Sequence, residues 1–157
     1  MEVKLDKISL EEKQRLMNIF QLYMYEITRY LPMKLDDKGL YHYDYFDNYW
    51  TDPTYEPFFI KVDGEVAGFV LINEHFHILK SGKNISEFFI LQEYKRRKVG
   101  SIAAKMAFDL YKGPWEVRPV PKSDEAHIFW TKVINEYTNG HYNVEHTDRE
   151  VITFNSK

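Results

Sequence analysis

Residues 87–101 read EFFILQEYKRRKVGS and join three features in one short stretch. The apolar run Phe88–Leu91 predicts a short strand, and the spacing of apolar residues from Val99 onward predicts a helix. Four consecutive cations, Lys95–Lys98, stand between the two. Positive charge at a helix start opposes the helix dipole, but free backbone N–H groups and cations together attract an anion. We therefore expect a phosphate-binding turn at the start of this helix.

The composition is that of a globular protein and narrows the classes of partner. The 157 residues are 44% hydrophobic and 29% charged, and the net charge is −3. The basic turn (residues 95–98) is thus a local patch on a mildly acidic chain, so no nucleic-acid partner is expected. The chain has no cysteine, which excludes a thiol nucleophile or a disulfide framework. No apolar run reaches membrane-spanning length and no leader is visible, so we expect one cytoplasmic domain over residues 1–157 without a membrane partner.

The order of predicted elements on either side of the basic turn defines the fold class. Strands are predicted at 2–8, 58–62, 65–73, 85–91, 115–120, 142–146 and 149–155. Helices are predicted from a capping box at Ser9–Glu12 to Leu31, within 33–55 (one short helix), over 99–111, and from Ser123 to Asn139. Hairpins followed by two β-α-β crossovers imply an α/β (α+β mixed) domain. Its central sheet is mixed, mostly antiparallel, with about seven strands and helices on both faces.

Three local patterns give sharper expectations. Asp63-Gly64 joins two strand patterns and predicts a type I′ hairpin turn. Alternation along 85–91 puts Glu87, Phe89 and Leu91 on one face of the strand, and Ser86, Phe88 and Ile90 on the other. The buried face of the helix that follows the basic turn is predicted to consist of Val99, Ile102, Ala103, Met106, Ala107 and Leu110.

The strand, basic turn and helix, in this element order, resemble the GCN5-related N-acetyltransferase (GNAT) superfamily along nearly the whole chain. The family signature Gln/Arg-x-x-Gly-x-Gly/Ala falls on Lys95–Gly100, where the final glycine is kept and Lys98 replaces the first glycine. Lys98 would therefore need a backbone conformation that glycine reaches more easily. Val66–Val70 (VAGFV) is similar to the family's third strand.

A second family motif, Asn-x-x-Ala-x-x-Phe-Tyr, matches Ser123–Trp130 with Ser123 for Asn and Trp130 for Tyr. In many members that Tyr is positioned to protonate the leaving thiolate of coenzyme A. Trp130 offers only an indole N–H hydrogen bond, so another group or water would supply the proton.

The resemblance implies acetyl-coenzyme A as co-substrate, with backbone groups holding it. Strand residues Phe89, Ile90 and Leu91 would contact the pantetheine arm and the thioester carbonyl. The pyrophosphate would lie on Lys95, Arg96, Arg97, Lys98, Val99, Gly100 and Ser101. Ser123 and Trp130 would flank the other side of the cofactor.

Glu87 is the candidate catalytic base, because it is the only acid within strand 85–91 and this strand lies just before the basic turn. A carboxyl group among apolar strand residues has a raised pKa if buried, as a base requires. The alternative is that Glu87 is a salt-bridged or edge-exposed residue without a catalytic role, and the sequence does not favour either interpretation over the other. His75 and His77 lack a third ligand at recognisable spacing, so no metal site is expected.

The acceptor wall implied by the resemblance contains Tyr23, Glu26, Tyr41 and Tyr43, an aromatic and acidic lining suited to a small cationic amine. Alternatively, each tyrosine side chain simply packs over the hydrophobic core. The expected function is N-acetyl transfer to a primary amine by direct attack in a ternary complex. Two alternatives stay open: a GNAT-like module that senses coenzyme A or a small ligand without turnover, and a nucleic-acid-binding protein built on the basic turn. Exposed strands at the C-terminal edge would permit a homodimer.

Overall fold

All residues from 1 to 157 are described by the structure, which is a computed structural model. Seven strands form one sheet in the order β1-β2-β3-β4-β5-β7-β6, antiparallel throughout except for the parallel pair β4–β5. Their bounds are β1 Val3–Lys7, β2 Glu56–Val62, β3 Glu65–Asn73, β4 Lys83–Ile90, β5 Gly113–Val117, β6 Tyr142–His146 and β7 Glu150–Ser156. The predicted mixed, mostly antiparallel sheet is confirmed.

Four α-helices cover the two faces of this sheet, as predicted. They are α1 Lys13–Ile27, α2 Asn48–Thr51, α3 Val99–Leu110 and α4 Asp124–Thr138. On one face, α1 and α2 bury an aromatic cluster that includes Phe20, Phe69 and Phe89. On the other face, α3 and α4 pack around Phe108 and Trp115. Aromatic side chains supply much of the buried area in both cores.

The strands β4 and β5 pair over only three positions and then separate. Their register runs from Lys83 opposite Trp115 to Ile85 opposite Val117. The predicted strand 115–120 therefore ends early, because Pro119 has no N–H group to donate to a neighbouring strand. Beyond Ile85, β4 pairs with β3 on one side only. We call residues 86–90, on the side that faces away from β3, the open edge of β4.

A β-bulge lies at the start of this open edge. Leu71 pairs with Glu87 while Ile72 pairs with Ile85, so Ser86 is an extra residue on β4. The bulge corrects the predicted alternation: the Ser86 hydroxyl lies with Tyr43 and Tyr49 on the α1 side of the sheet, and not on the opposite face. An inserted residue shifts the pleat by one position, which a strict period of two cannot anticipate.

The hairpin between β2 and β3 follows its prediction. Asp63 and Gly64 have φ values of 50° and 86°, the left-handed conformations that a type I′ turn requires. Gly68 on β3 is needed for a different reason, because a Cβ atom there would lie 1.9 Å from the carbonyl oxygen of Phe89. The chain thus needs glycine where β3 passes closest to β4.

Two details of the helices differ from the predictions. Ser9 makes no side-chain capping bond, and a 3₁₀ turn at Leu10–Glu12 precedes α1, so the predicted capping box is wrong. On α3, Ile102 and Leu110 are 36% and 44% exposed. The fully buried residues of α3 are Val99, Ala103, Ala104, Ala107 and Phe108. The buried stripe is rotated because Phe108 turns into the aromatic core.

Candidate active site

The basic turn has an unusual backbone. Arg96 and Lys98 have φ values of 62° and 64°, so both adopt the left-handed conformation that non-glycine residues rarely use. Lys98 precedes the first residue of α3 and occupies the position of the family glycine. The conformation predicted for Lys98 is confirmed. Left-handed residues that alternate with others along a turn orient successive N–H groups toward one point, which creates an anion-binding concavity.

The N–H groups of this turn have no partner within the chain. The first hydrogen bond of α3 runs from Ile102 N to Lys98 O, 3.0 Å away. None of the six preceding backbone N–H groups, from Arg96 to Ser101, forms a hydrogen bond, and no side chain caps the helix. The turn therefore offers a run of free donors at the positive end of α3, which fits a pyrophosphate group.

Side chains around the basic turn add positive charge and tie it to α1. Arg96, Arg97 and Lys98 are exposed, and the Arg97 guanidinium lies 5.5 Å from the centre of the Tyr94 ring. Glu26 of α1 accepts a hydrogen bond from Gln92 Nε2 at 2.9 Å and lies 3.9 Å from Lys95 Nζ. The structure thus places the Glu26 carboxylate at the edge of the basic turn.

Backbone groups on the open edge of β4 are also available. Leu91 N donates to Ala67 O of β3 at 2.8 Å, so this N–H is already used. Since successive residues of a strand direct their N–H and C=O groups to opposite sides, the groups of Ile90 and Phe88 point away from β3. The Phe89 carbonyl lies against Gly68 of β3. Of the three strand residues predicted to hold the cofactor, Ile90 is the one whose backbone faces the gap between β4 and β5.

The second cofactor motif lies on α4, across the gap. Ser123 caps α4, because its hydroxyl accepts a hydrogen bond from Ala126 N at 3.1 Å. Trp130 is 6% exposed and packs against Phe88, with ring centres 5.0 Å apart. The indole N–H groups of Trp50 and Trp115 donate to backbone carbonyls, whereas that of Trp130 has no partner within the chain.

Glu87 lies on β4 where the strand faces α1. Its carboxylate is half-buried and accepts a hydrogen bond of 2.6 Å from the Tyr23 hydroxyl. Burial raises the pKa of Glu87, and hydrogen bonds from the Tyr23 and Tyr43 hydroxyls oppose that increase. Glu87 forms no salt bridge, so neither a salt-bridged nor an exposed surface carboxylate describes it. A carboxylate in this setting is a stronger base than one in water.

Hydroxyl groups line the space next to Glu87. The Tyr43 hydroxyl lies near Ser86 and Glu87, and the Tyr49 hydroxyl lies near Ser86 and accepts a hydrogen bond of 3.3 Å from Asn73 Nδ2. Burial is the main cause that raises the pKa of Tyr23, and the same holds for the pKa of Tyr43 and of Tyr49. These three phenols therefore stay neutral and are poor proton donors to a thiolate.

The aromatic loop 41–55 contributes to the core as well as to this site. Gln21 of α1 binds both backbone groups of Tyr41, with its Nε2 donating to Tyr41 O at 3.0 Å and its Oε1 accepting from Tyr41 N at 2.7 Å. The Tyr43 ring packs on Phe20, with centres 4.7 Å apart. Of the four predicted acceptor residues, Tyr23 and Tyr43 lie together at Glu87, Tyr41 anchors the loop, and Glu26 lies at the basic turn.

Two arginines that the sequence did not single out also act on this site. Arg118 follows β5 and Arg149 precedes β7, and the positive charge of each lowers the pKa of Glu87. His77 contacts the same β6–β7 turn, with Nε2 2.8 Å from Asp148 Oδ1.

No cluster of three or more His, Cys, Asp or Glu side chains with metal-binding geometry occurs. None of the helices has the length and apolar character needed to cross a membrane.

A turn of unpaired backbone N–H groups and cations, an open strand edge beside it and a half-buried carboxylate on that strand together fit an acyl-coenzyme A-dependent transferase. The sequence matches the Acetyltransferase (GNAT) family over residues 14–137, and the chain belongs to that family. A search of curated proteins found no match.

Solved structures with this fold cover the whole chain at low sequence identity. An acetyltransferase from Thermus thermophilus has a TM-score of 0.69 and 11% identity, and covers 99% of this chain and 97% of its own. The PaiA N-acetyltransferase from Thermoplasma acidophilum, in complex with coenzyme A, has a TM-score of 0.65 and 12% identity over 99% of both chains. An aminoglycoside acetyltransferase in complex with coenzyme A has a TM-score of 0.66 and 12% identity, covering 98% of this chain and 95% of its own.

Proposed function

We propose that this chain is an N-acetyltransferase that moves the acetyl group of acetyl-coenzyme A to a primary amine. The observation that carries the proposal is the position of Glu87. Its half-buried carboxylate lies on the strand whose open edge leads directly to the basic turn. A donor held at that turn and along that edge would bring its thioester close to a base.

The basic turn would hold the pyrophosphate through the N–H groups of Arg96 to Ser101, with the exposed cations adding attraction. The Ile90 N–H, which points away from β3, would hydrogen-bond along the pantetheine arm. Donors fixed in advance at the place where negative charge develops lower the barrier without reorganisation. Phe88, Phe129 and Trp130 would exclude water from this side of the gap.

Direct transfer needs one proton acceptor and one proton donor. The amine nitrogen attacks the thioester carbonyl carbon, the carbon–sulfur bond breaks, and the proton lost by the amine passes to Glu87 or to a water molecule bound to it. The sulfur leaves with the electron pair of that bond and takes a proton from solvent, while the free Trp130 indole N–H provides a hydrogen bond. Since the chain has no cysteine, no thiol of the protein would carry the acetyl group.

A second candidate function is a sensor that binds coenzyme A without turnover. Trp130 favours it, because a tryptophan stands where many family members have the proton-donating tyrosine. The raised pKa values of Tyr23, Tyr43 and Tyr49 leave no phenol beside Glu87 suited to that role.

Two measurements on the purified protein separate the candidates. Calorimetry with coenzyme A tests the donor site, and release of free thiol from acetyl-coenzyme A with a panel of primary amines tests turnover. The enzyme predicts thiol release that depends on the amine, with an N-acetylated product seen by mass spectrometry. Tight binding of coenzyme A without release across the panel favours the sensor, and absence of binding rejects both functions.

A further inference from the structure

Backbone carbonyl groups hold the side chains of Arg118 and Arg149 at the end of β5, where β5 separates from β4. The last β4–β5 pair is Ile85 with Val117, so Arg118 comes directly after it at the end of β5 and Glu87 lies two residues beyond it on β4. Arg149 Nη2 donates to Pro119 O at 2.8 Å and to Arg118 O at 3.2 Å. Arg118 Nη2 donates to His75 O at 3.1 Å, and its Nε lies 3.4 Å from Glu116 Oε2. The orientation of both side chains is therefore fixed by the end of β5 and by the loop before β4.

The Glu116 carboxylate stabilises this arrangement from inside the protein. Glu116 is fully buried on β5. It accepts hydrogen bonds from the backbone N–H groups of three successive residues: His77 at 2.7 Å, Ile78 at 2.8 Å and Leu79 at 3.0 Å. The Glu116 carboxylate thus binds the same loop whose His75 carbonyl accepts a hydrogen bond from Arg118. A cluster held by the main chain in this way is pre-organised, which lowers the entropy cost of binding a ligand.

Each of the two guanidinium groups has a nitrogen that forms no hydrogen bond within the chain. The Nη1 groups of Arg118 and Arg149 form no hydrogen bond and are not enclosed, whereas Arg149 Nε is enclosed and has no acceptor. Arg149 forms no salt bridge, although the side chain is half-buried. A guanidinium withdrawn from water without a paired anion is costly, so such an arrangement favours an anionic ligand.

The two arginines and Glu87 act on one another electrostatically. The positive charges of Arg149 and Arg118 both lower the pKa of Glu87. The charge of Arg118 also lowers the pKa of Arg149, whereas the charge of Glu87 raises it. The positive charge of Arg149 also acts to lower the pKa of Tyr23. The site therefore contains two positive charges, of which that of Arg118 is paired with Glu116, beside the negative charges of Glu87 and Asp148.

We propose that the Nη1 groups of Arg118 and Arg149 bind the carboxylate of the acceptor, which is a small amino acid with its primary amine directed at Glu87. The inference rests on the proposed N-acetyltransferase function and names the class of its acceptor. Arginine forks match the planar geometry of a carboxylate better than any other side chain. Polyamines would bring further positive charge toward two fixed guanidinium groups, and such like-charge contacts are unfavourable.

A panel of matched amines tests the proposal on the full chain with coenzyme A bound. Glycine, β-alanine and 4-aminobutyrate differ in the distance between amine and carboxylate, while glycinamide and spermidine lack the carboxylate. Calorimetry and thiol release are expected to favour one of the three acids over glycinamide by about 10- to 100-fold, as loss of a charge-assisted pair predicts. Equal or better use of glycinamide or spermidine overturns the proposal. Tighter binding of aminomethylphosphonate than of glycine overturns the carboxylate assignment.

Substitutions of Arg149 and Arg118 test whether these two residues form the carboxylate subsite. Arg149→Gln and Arg118→Gln are each expected to raise KM for the preferred acid by about 10- to 100-fold. Because loss of either charge also raises the pKa of Glu87, the variants are compared on the high-pH plateau of the profile. There, KM for glycinamide and the affinity for coenzyme A should change much less than KM for the acid. Arg15→Gln, which removes a guanidinium paired with Glu12 on the first turn of α1, is the matched control. If Arg149→Gln does not fold, Arg149→Lys keeps the charge and is expected to raise KM less than Arg118→Gln does.

Failure of this inference and failure of the proposed function give different results. A protein that acetylates amides or polyamines as well as amino acids is still an N-acetyltransferase, and only the carboxylate subsite is rejected. A protein that binds coenzyme A but acetylates no amine loses the proposed function. In that case calorimetry still reports whether amino acids bind through Arg118 and Arg149, and absence of such binding rejects the subsite independently.

Discussion

The basic turn and the surroundings of Glu87 are built in opposite ways. The turn is one continuous segment, and its donors are the backbone N–H groups of residues 96–101. The site around Glu87 is assembled from side chains on α1, the loop 41–55, β4, the end of β5 and the β6–β7 turn. A main-chain site tolerates changes of side chain as long as the backbone keeps its shape. A side-chain site does not, so substitutions should affect the two regions differently.

Glu87→Gln is expected to have the largest effect, because it removes the one proposed proton acceptor. Loss of a general base costs about 10²- to 10⁴-fold in rate, and partial recovery is expected at high pH, where more of the amine is unprotonated. The measurement is kcat across a pH range with a saturating amine. Glu145→Gln, at an exposed position of β6, is the control, and wild-type turnover by Glu87→Gln would remove this residue from the mechanism.

Arg97→Glu should follow in size and act on the other region. Reversing an exposed charge next to a bound pyrophosphate is expected to weaken coenzyme A binding by about 10- to 100-fold. Arg97→Ala should cost much less, because it keeps the N–H group of residue 97 and places no negative charge beside the pyrophosphate. The measurement is the Kd by calorimetry at two salt concentrations. Equal losses for both variants would mean that the side chain, and not the backbone, holds the donor.

The difference between the two regions also explains what the sequence could predict. The basic turn was predictable because strand, cations and helix adjoin in sequence, and even the left-handed backbone of Lys98 followed from its position in the motif. Tyr23 and Glu87 lie 64 residues apart, and although each was singled out in the sequence, their hydrogen bond was not predicted. The bulge at Ser86 and the position of Arg149 depend on strand pairing and on packing across the whole fold.

Tyr23→Phe tests the tuning of Glu87 with a smaller effect. The Tyr23 hydroxyl stabilises the charged carboxylate and so lowers a pKa that burial has raised. Without that hydrogen bond the pKa of Glu87 rises further. Since the base acts in its ionised form, the acid limb of kcat/KM should move to higher pH, while the plateau at high pH changes little. A profile that does not move, or that moves to lower pH, would contradict a role for Tyr23 in setting this pKa.

Lys98→Gly is expected to have the smallest effect and probes the backbone of the basic turn directly. Lys98 has a φ of 64°, a conformation that costs a residue with a Cβ about 1 to 2 kcal/mol. Glycine removes that cost, but the greater entropy that it gives the unfolded chain costs about 0.4 to 1 kcal/mol, so the free energy of unfolding should rise by about 0 to 1.6 kcal/mol.

Lys98→Ala is the matched variant, because it loses the same charge and keeps the strain. Coenzyme A affinity should fall by about fivefold at most in both variants, as expected for one exposed charge. The glycine variant should be the more stable of the two in urea unfolding. If alanine and glycine gave equal stability, the left-handed conformation at residue 98 would cost alanine no more than the entropy that glycine adds to the unfolded chain, about 0.4 to 1 kcal/mol.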